Sequence, residues 1–310
     1  MSREDGRTIS MEMLVNASKT SVAKDESAEH YLKRLSHLTL TNKKLTAIAH
    51  LEPCKNLKVL YLYGNRIRCI ENLGFATLLT QLHLQDNRIG RIEGLESLVN
   101  LEKLCLDGNH ISRVEGLARC SKLQELYLSN QTYTDRESYA FDSASLAAMS
   151  DSLRVLTLAN CGVRSPGSLV SLCRLEQLDL SRNAIDDMED VFALVGGLRA
   201  LKDLNLTNNH VNSTPKYREN TIIFSNASLR VLDLKDIDAK QRAMMQSHLA
   251  FKHKKRSEKP KPRTPVESPE ATLKPTVSIP MVKRPTGLGD FDVLGSAISR
   301  ARNNNDDENY

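Results

Sequence analysis

The sequence predicts an α/β solenoid: an arc with a parallel concave sheet, short helices or turns on the convex side, capped ends and a disordered C-terminal tail. Three observations carry this expectation. Leucines recur in one frame every 22 residues, as Leu57, Leu60, Leu62, then Leu79, Leu82, Leu84, then Leu101, Leu104, Leu106. Each of these triplets is followed at a fixed offset by an asparagine and an isoleucine: Asn65 and Ile67, Asn87 and Ile89, Asn109 and Ile111. Beyond residue 252 the frame stops, and the chain becomes rich in proline and basic residues.

The spacing L-x-x-L-x-L-x-x-N-x-I resembles the leucine-rich repeat, in which a short strand lines the inside of an arc and a turn or short helix returns outside. A single repeat has no partner for its own leucines. Stacking closes them into a continuous core, each buried aliphatic side chain contributing roughly 1.5–3 kcal/mol. The asparagine has a separate task, because the turn after each strand leaves backbone groups that a side-chain amide can satisfy. Further copies start at Leu35, with Lys43 in the asparagine slot, and at Leu123, with Gln131 there. Three more start at Leu153 (Cys161 in the slot), Leu175 (Asn183) and Leu201 (Asn209), and an incomplete copy runs from Leu229. Eight repeats and a closing unit make one elongated domain over residues 29–245, flanked by a flexible segment 1–28 and a tail 246–310.

Two intervals break the period. Leu123 to Leu153 is 30 residues, so extra chain carrying Tyr133, Tyr139 and Phe141 must bulge from one face, either as a recognition loop or as a plain outward bulge. Leu201 to Leu229 is 28 residues and holds Pro215, Tyr217 and Arg218, as expected of a cap over the last apolar layer. At the other end, Tyr31, Leu32 and Leu35 fall at helical spacing and form an N-terminal cap, and Ile9 to Val15 is one amphipathic patch.

Composition points to a cytoplasmic setting: the sequence has no apolar N-terminal run with a cleavage site and no stretch long enough for a bilayer. The six cysteines are scattered through the repeats without C-x-x-C pairing, which suits reduced core or turn residues and no metal. Charge is uneven. Residues 252–302 hold 12 Lys/Arg against 5 Asp/Glu, a net of +7 in a chain of net +5. Seven of the ten prolines lie there, so the tail is expected to be disordered. Its basic cluster, Lys252, Lys254, Lys255, Arg256, Lys259, Lys261 and Arg263, suits an acidic surface such as tubulin in microtubules, or nucleic acid, or a nuclear import signal. Thr264-Pro265 and Ser268-Pro269 are proline-directed phosphorylation candidates beside it, and Phe291-Asp292-Val293-Leu294 is a short docking candidate.

Catalytic signatures are missing: there is no G-x-x-x-x-G-K-[ST], G-x-S-x-G, H-E-x-x-H or dinucleotide fingerprint. The sequence therefore predicts a non-enzymatic protein without cofactor, whose function rests on the concave face. Strand alternation exposes Val59, Tyr61 and Tyr63; His83, Gln85 and Asp86; Lys103, Cys105 and Asp107; Glu125 and Tyr127; then Asp179 and Asp203. Tyrosines flanked by carboxylates resemble an interface hot spot for a folded protein with a basic patch. This acidic surface argues against direct nucleic-acid binding by the repeats.

The segments Ile70-Glu71-Asn72-Leu73, Ile92-Glu93-Gly94-Leu95 and Val114-Glu115-Gly116-Leu117 resemble the 22-residue subclass of leucine-rich-repeat regulatory subunits of protein phosphatase 1. Cys54-Lys55-Asn56-Leu57 running into Val59-Leu60-Tyr61-Leu62-Tyr63, the lengthened repeat with Phe141-Asp142, and Pro215-Lys216-Tyr217-Arg218 followed by Leu232-Asp233 carry the likeness across residues 29–245. The resemblance implies a scaffold that binds the phosphatase 1 catalytic subunit at the cytoskeleton, in centrosomes or ciliary bases. No [RK]-V-x-F docking peptide is present; Lys58-Val59-Leu60-Tyr61 and Arg154-Val155-Leu156-Thr157 come nearest, within core strands, so binding falls to the concave face. Two other readings stay open: a ciliary or microtubule adaptor without phosphatase control, and a nuclear ribonucleoprotein subunit.

Overall fold

The computed structural model describes residues 6–17, 26–132 and 139–247. The tail cluster from Lys252 to Arg263, the phosphorylation and docking candidates beyond it, and Tyr133 lie outside the described residues.

Each leucine triplet nucleates a three-residue strand. The strands are β1 (His37–Thr39), β2 (Val59–Tyr61), β3 (Gln81–His83), β4 (Lys103–Cys105), β6 (Glu125–Tyr127), β8 (Val155–Thr157), β9 (Gln177–Asp179) and β10 (Asp203–Asn205). Two short strands, β5 (Arg113–Val114) and β7 (Ala140–Phe141), pair with each other in a separate sheet. The main sheet runs β1-β2-β3-β4-β6-β8-β9-β10-β11-β12, where β11 is Val231–Leu232 and β12 is Lys235–Asp236. All its neighbours are parallel except β11 and β12, an antiparallel hairpin that closes the array.

Register follows the frame: Leu38, Leu60, Leu82, Leu104, Leu126, Leu156, Leu178, Leu204 and Leu232 align across the sheet, and all are buried. The asparagine slots tie repeats together. Asn65 Oδ1 accepts from the backbone N–H of Lys43 (2.9 Å) and Leu45 (3.1 Å), while its Nδ2 donates to the carbonyls of Leu40 (2.8 Å) and Leu62 (2.7 Å). Asn87, Asn109, Asn183 and Asn209 likewise donate to carbonyls in two successive repeats. Gln131 does the same for Leu106 and Leu128, while at the irregular slot the Cys161 thiol contacts the Leu128 carbonyl at 3.0 Å. These amides satisfy backbone groups that the turn buries.

Regular helices cluster at the ends and in the C-terminal half. They are α1 (Met11–Asn16), α2 (Ala28–Arg34), α3 (Ser143–Met149), α4 (Met188–Gly197) and α5 (Tyr217–Phe224). The middle repeats return by turns alone. Helix α2 is the N-terminal cap the spacing predicts, burying Tyr31 and Leu32. Within the segment 1–28, the described residues 6–17 include a short helix and pack on the first repeat. Ser10 caps α1 by accepting from Met13 N–H (3.2 Å), Ile9 and Leu14 are buried, and Arg7 bridges Leu45 in parallel. Ile9 and Leu14 are the apolar side of the amphipathic patch, and their burial contributes part of what offsets the ordering of this short segment.

The lengthened repeat is described over residues 139–150. That part turns inward. Strand β7 pairs with β5, Tyr139, Leu146 and Met149 are buried, and Ser145 Oγ accepts from Leu117 N–H (3.1 Å). The C-terminal cap sits where Pro215, Tyr217 and Arg218 predict it: Phe224 of α5 packs on Phe192 of α4 at 4.3 Å between ring centroids. Arg218 donates to the carbonyls of Leu232 (2.8 Å) and Asp236 (3.1 Å), holding the final hairpin. Among the described residues no helix is long and apolar enough to cross a membrane.

Candidate functional site

Three cross-strand rows line the concave face. The middle row runs Thr39, Tyr61, His83, Cys105, Tyr127, Thr157, Asp179, Asn205, each register partner of the next. A second row runs His37, Val59, Gln81, Lys103, Glu125, Val155, Gln177, Asp203, Val231. The third follows the strands with Tyr63, Gln85, Asp107 and Ser129. Parallel strands fix these rows at about 4.8 Å per step, so the surface is preorganised.

The N-terminal half concentrates aromatic and paired charged groups. Tyr61 and His83 stack with centroids 4.6 Å apart. Lys103 Nζ lies 2.6 Å from Glu125 Oε2 and 4.9 Å from the Tyr127 ring centroid, and the Tyr127 hydroxyl donates to the same Glu125 oxygen (2.9 Å). Lys103 thus serves an ion pair and a cation–π contact together. The hydrogen bond that Lys103 donates to Glu125 holds the carboxyl below its usual range and raises the lysine. Desolvation, then the Lys103 charge, lowers His83 below the usual imidazole value by disfavouring its charged form. Tyr63 stands 40% exposed beside this cluster.

Carboxylates frame it. Asp107 accepts from Ser129 N–H (2.8 Å) and is raised, chiefly by burial with a smaller contribution from Asp86. Asp86 is exposed and Gln85 half-buried, its Oε1 enclosed without a protein partner. Across β8, with its small Val155, Thr157 and the following Ala159, lie Asp179 and Asp203. Asp179 accepts from Ser181 N–H (2.9 Å); Asp203 is raised by burial and then by Asp179. The structure therefore divides the predicted surface into an aromatic, ion-paired patch over β2 to β6 and a separate acidic patch on β9 and β10.

Two positions that alternation exposes are instead buried: Cys105, only 3% accessible, and Val59. Cys105 sits between the rings of His83 and Tyr127 in its row, and small side chains between large ones are covered. Burial raises its thiol to about 12 and that of Cys161 to about 12. Cys54 and Cys120 rise to about 11 for the same reason, so these four stay protonated and unreactive. Among the described residues no three His, Cys, Asp or Glu side chains are grouped to hold a metal. Sequence reasoning missed Arg218 as the clamp on the last hairpin; its target carbonyls belong to a turn that the frame does not reveal.

Residues 77–117, covering strands β3 and β4 with their returns, match the family model described as leucine-rich repeats in two copies. The chain contains leucine-rich repeats. Solved structures share the fold. An internalin C2 of Listeria monocytogenes is 24% identical with a TM-score of 0.55, the match covering 72% of this chain and 90% of that one. A leucine-rich-repeat protein of Leptospira interrogans is 23% identical with a TM-score of 0.53 over 68% of this chain and 52% of that one. A second Listeria internalin is 25% identical with a TM-score of 0.52, covering 67% of this chain and 63% of that one. The chain thus spans less than two thirds of the length of these last two. The likeness to all three is one of fold; the stacked tyrosine and histidine and the Lys103–Glu125–Tyr127 cluster belong to this chain's own residues.

Proposed function

We propose that this protein is a non-enzymatic scaffold that binds a folded protein partner on the N-terminal half of its concave face. The observation that carries the reading is the Lys103–Glu125–Tyr127 cluster beside stacked Tyr61 and His83: rigid aromatic and charged anchors on fixed strands. Such groups lose little side-chain entropy on binding, and Tyr anchors dominate interface energetics.

The partner we propose is the catalytic subunit of protein phosphatase 1. This rests on the likeness of residues 29–245 to phosphatase 1 regulatory subunits, the testis leucine-rich repeat protein among them. In this reading the scaffold is cytoplasmic and directs the phosphatase to the cytoskeleton, at the centrosome or ciliary base. The nearest strings to a linear docking peptide lie in β2 and β8, with Leu60 and Leu156 buried, so the concave face is the contact surface. The basic cluster from Lys252 to Arg263 favours a second reading, an adaptor that holds microtubules without phosphatase control.

The test is binding of the purified full-length protein to phosphatase 1 catalytic subunit, with Tyr61→Ala, Tyr63→Ala and Tyr127→Ala combined in a variant. Loss of at least about tenfold in affinity in the variant supports the proposal. No binding by the parent protein rejects the phosphatase reading, and microtubule co-sedimentation that depends on Lys252 to Arg263 then establishes the adaptor.

A further inference from the structure

The third concave row carries charge that no cation among the described residues answers. Its register is fixed by the backbone: Gly64 N–H donates to the Gln85 carbonyl (3.0 Å), Asp86 N–H to Asp107 (2.9 Å) and Gly108 N–H to Ser129 (2.9 Å). Tyr63, Gln85, Asp107 and Ser129 therefore stand side by side on one face, about 4.8 Å per step. Asp86 joins them from the turn, its carboxylate lying over Gly108 in the space that a Cβ there would enter. The two acids feel each other, since Asp107 is raised by burial and then further by Asp86.

Acceptors dominate this notch. Asp107 accepts from Ser129 N–H (2.8 Å), and among the described residues neither Asp107 nor Asp86 forms an ion pair. Lys103, one row away, is taken by Glu125. Gln85 Oε1 is enclosed without a hydrogen-bond partner, and the Tyr63 ring at the head of the row is exposed. The second acidic patch differs. Asp179 and Asp203 also lack an ion pair among the described residues, but their register neighbours Thr157, Gln177 and Asn205 offer no ring.

We propose that the notch formed by Tyr63, Gln85, Asp86 and Asp107 receives an arginine side chain of the folded protein partner. This rests on the reading of the concave face as the contact surface, and not on which protein binds there. Charge complementarity selects a cation. The neighbouring ring selects arginine over lysine, because a planar guanidinium stacks on an aromatic face and still presents a fork of N–H donors to carboxylates. A lysine ammonium is a compact, strongly hydrated charge that gains less from the ring.

The experiment measures fluorescence anisotropy of labelled hexa-arginine, hexalysine and hexaglutamate peptides with the full-length protein at about 50 mM and about 150 mM salt. The notch variant combines Asp86→Asn and Asp107→Asn, which keep side-chain size and an oxygen for Ser129 N–H. The control variant combines Asp179→Asn and Asp203→Asn. Hexa-arginine should bind more tightly than hexalysine, weaken with salt, and lose at least about fivefold in the notch variant but less than about twofold in the control. Tyr63→Ala should cost hexa-arginine about threefold and hexalysine less. Asp86→Asn alone, at an exposed position, should cost about twofold and serves if the double variant fails to fold. A notch variant that binds like the parent, a loss that follows the control pair, or equal binding of the two basic peptides overturns the proposal. Phosphatase 1 catalytic subunit, run with the same variants, separates the two readings. Notch-dependent peptide binding without phosphatase binding supports the notch and rejects that partner. Phosphatase binding that survives in the notch variant but is lost with the three tyrosines keeps that partner and overturns the notch.

Discussion

Lys103 on β4 and Glu125 on β6 meet at 2.6 Å across neighbouring strands, and Tyr127 closes the arrangement from the same side as a ring under the ammonium and a hydroxyl on the carboxylate. Their side chains are 30% and 37% exposed, so water screens the pair. A double-mutant cycle with Lys103→Ala and Glu125→Ala, read by urea denaturation, should give a stability coupling below about 1 kcal/mol. A coupling above about 2 kcal/mol would assign the pair to the fold rather than to a partner.

Removing an amide from the asparagine slots should cost much more. Asn109 is fully buried and bonds the Ile89 N–H and the carbonyls of Leu84 and Leu106. Asn109→Ala leaves these groups unpaired and should destabilise by about 2–4 kcal/mol in denaturant unfolding. Asn100→Ala, at the exposed bond to Thr77, should cost less than about 1 kcal/mol.

His83 should titrate below the ordinary imidazole value, because burial and Lys103 disfavour its charged form. The sign follows from proton binding: below the ordinary value of 6.5 the unfolded chain takes up the proton before the folded one does. Its contribution to stability is therefore intact above that value and declines as pH falls toward the folded value. His83→Phe should remove this part of the acid sensitivity, as compared by denaturation midpoints at about pH 7.5 and about pH 5.5.

Thiol labelling separates the six cysteines into two groups. In the native protein only Cys69 and Cys173, which are exposed, should react promptly with a disulfide reagent; the buried four should react only on unfolding. Prompt reaction at Cys105 would mean that the His83 to Tyr127 row opens in solution.

The hairpin joining β11 to β12 places Asp233 (φ 52°) and Leu234 (φ 61°) in the left-handed region, and Leu234 is 75% exposed. A branched side chain there is strained while burying little. Leu234→Gly should stabilise the protein by about 0.5–1 kcal/mol in thermal or urea unfolding.

The 22-residue frame was enough to place the strands, because buried leucines at fixed spacing have one way to stack, and Asn65, Asn87 and Asn109 sit in the slots that the frame assigns. The concave residues were legible as a row but not as a site. Alternation names Tyr61, His83, Lys103, Glu125 and Tyr127 one by one, whereas stacking and ion pairing between them depend on cross-strand register. The same alternation exposes Cys105 and Val59, which the structure buries, since relative side-chain size decides what is covered. The inward turn of residues 139–150 was hidden because it rests on a pairing of β5 with β7 that lies outside the repeating pattern.

Reversal of direction at β12 sets a limit on how this protein can change length. A parallel array grows by adding another unit at an open end, but here the final hydrogen-bonding edge is turned back on itself and pinned by Arg218. Duplicated units can enter the regular stretch between Leu57 and Asn109, where successive repeats are interchangeable in register, and would lengthen the concave face without disturbing either terminus. A unit appended after Leu232 would find no parallel edge to join.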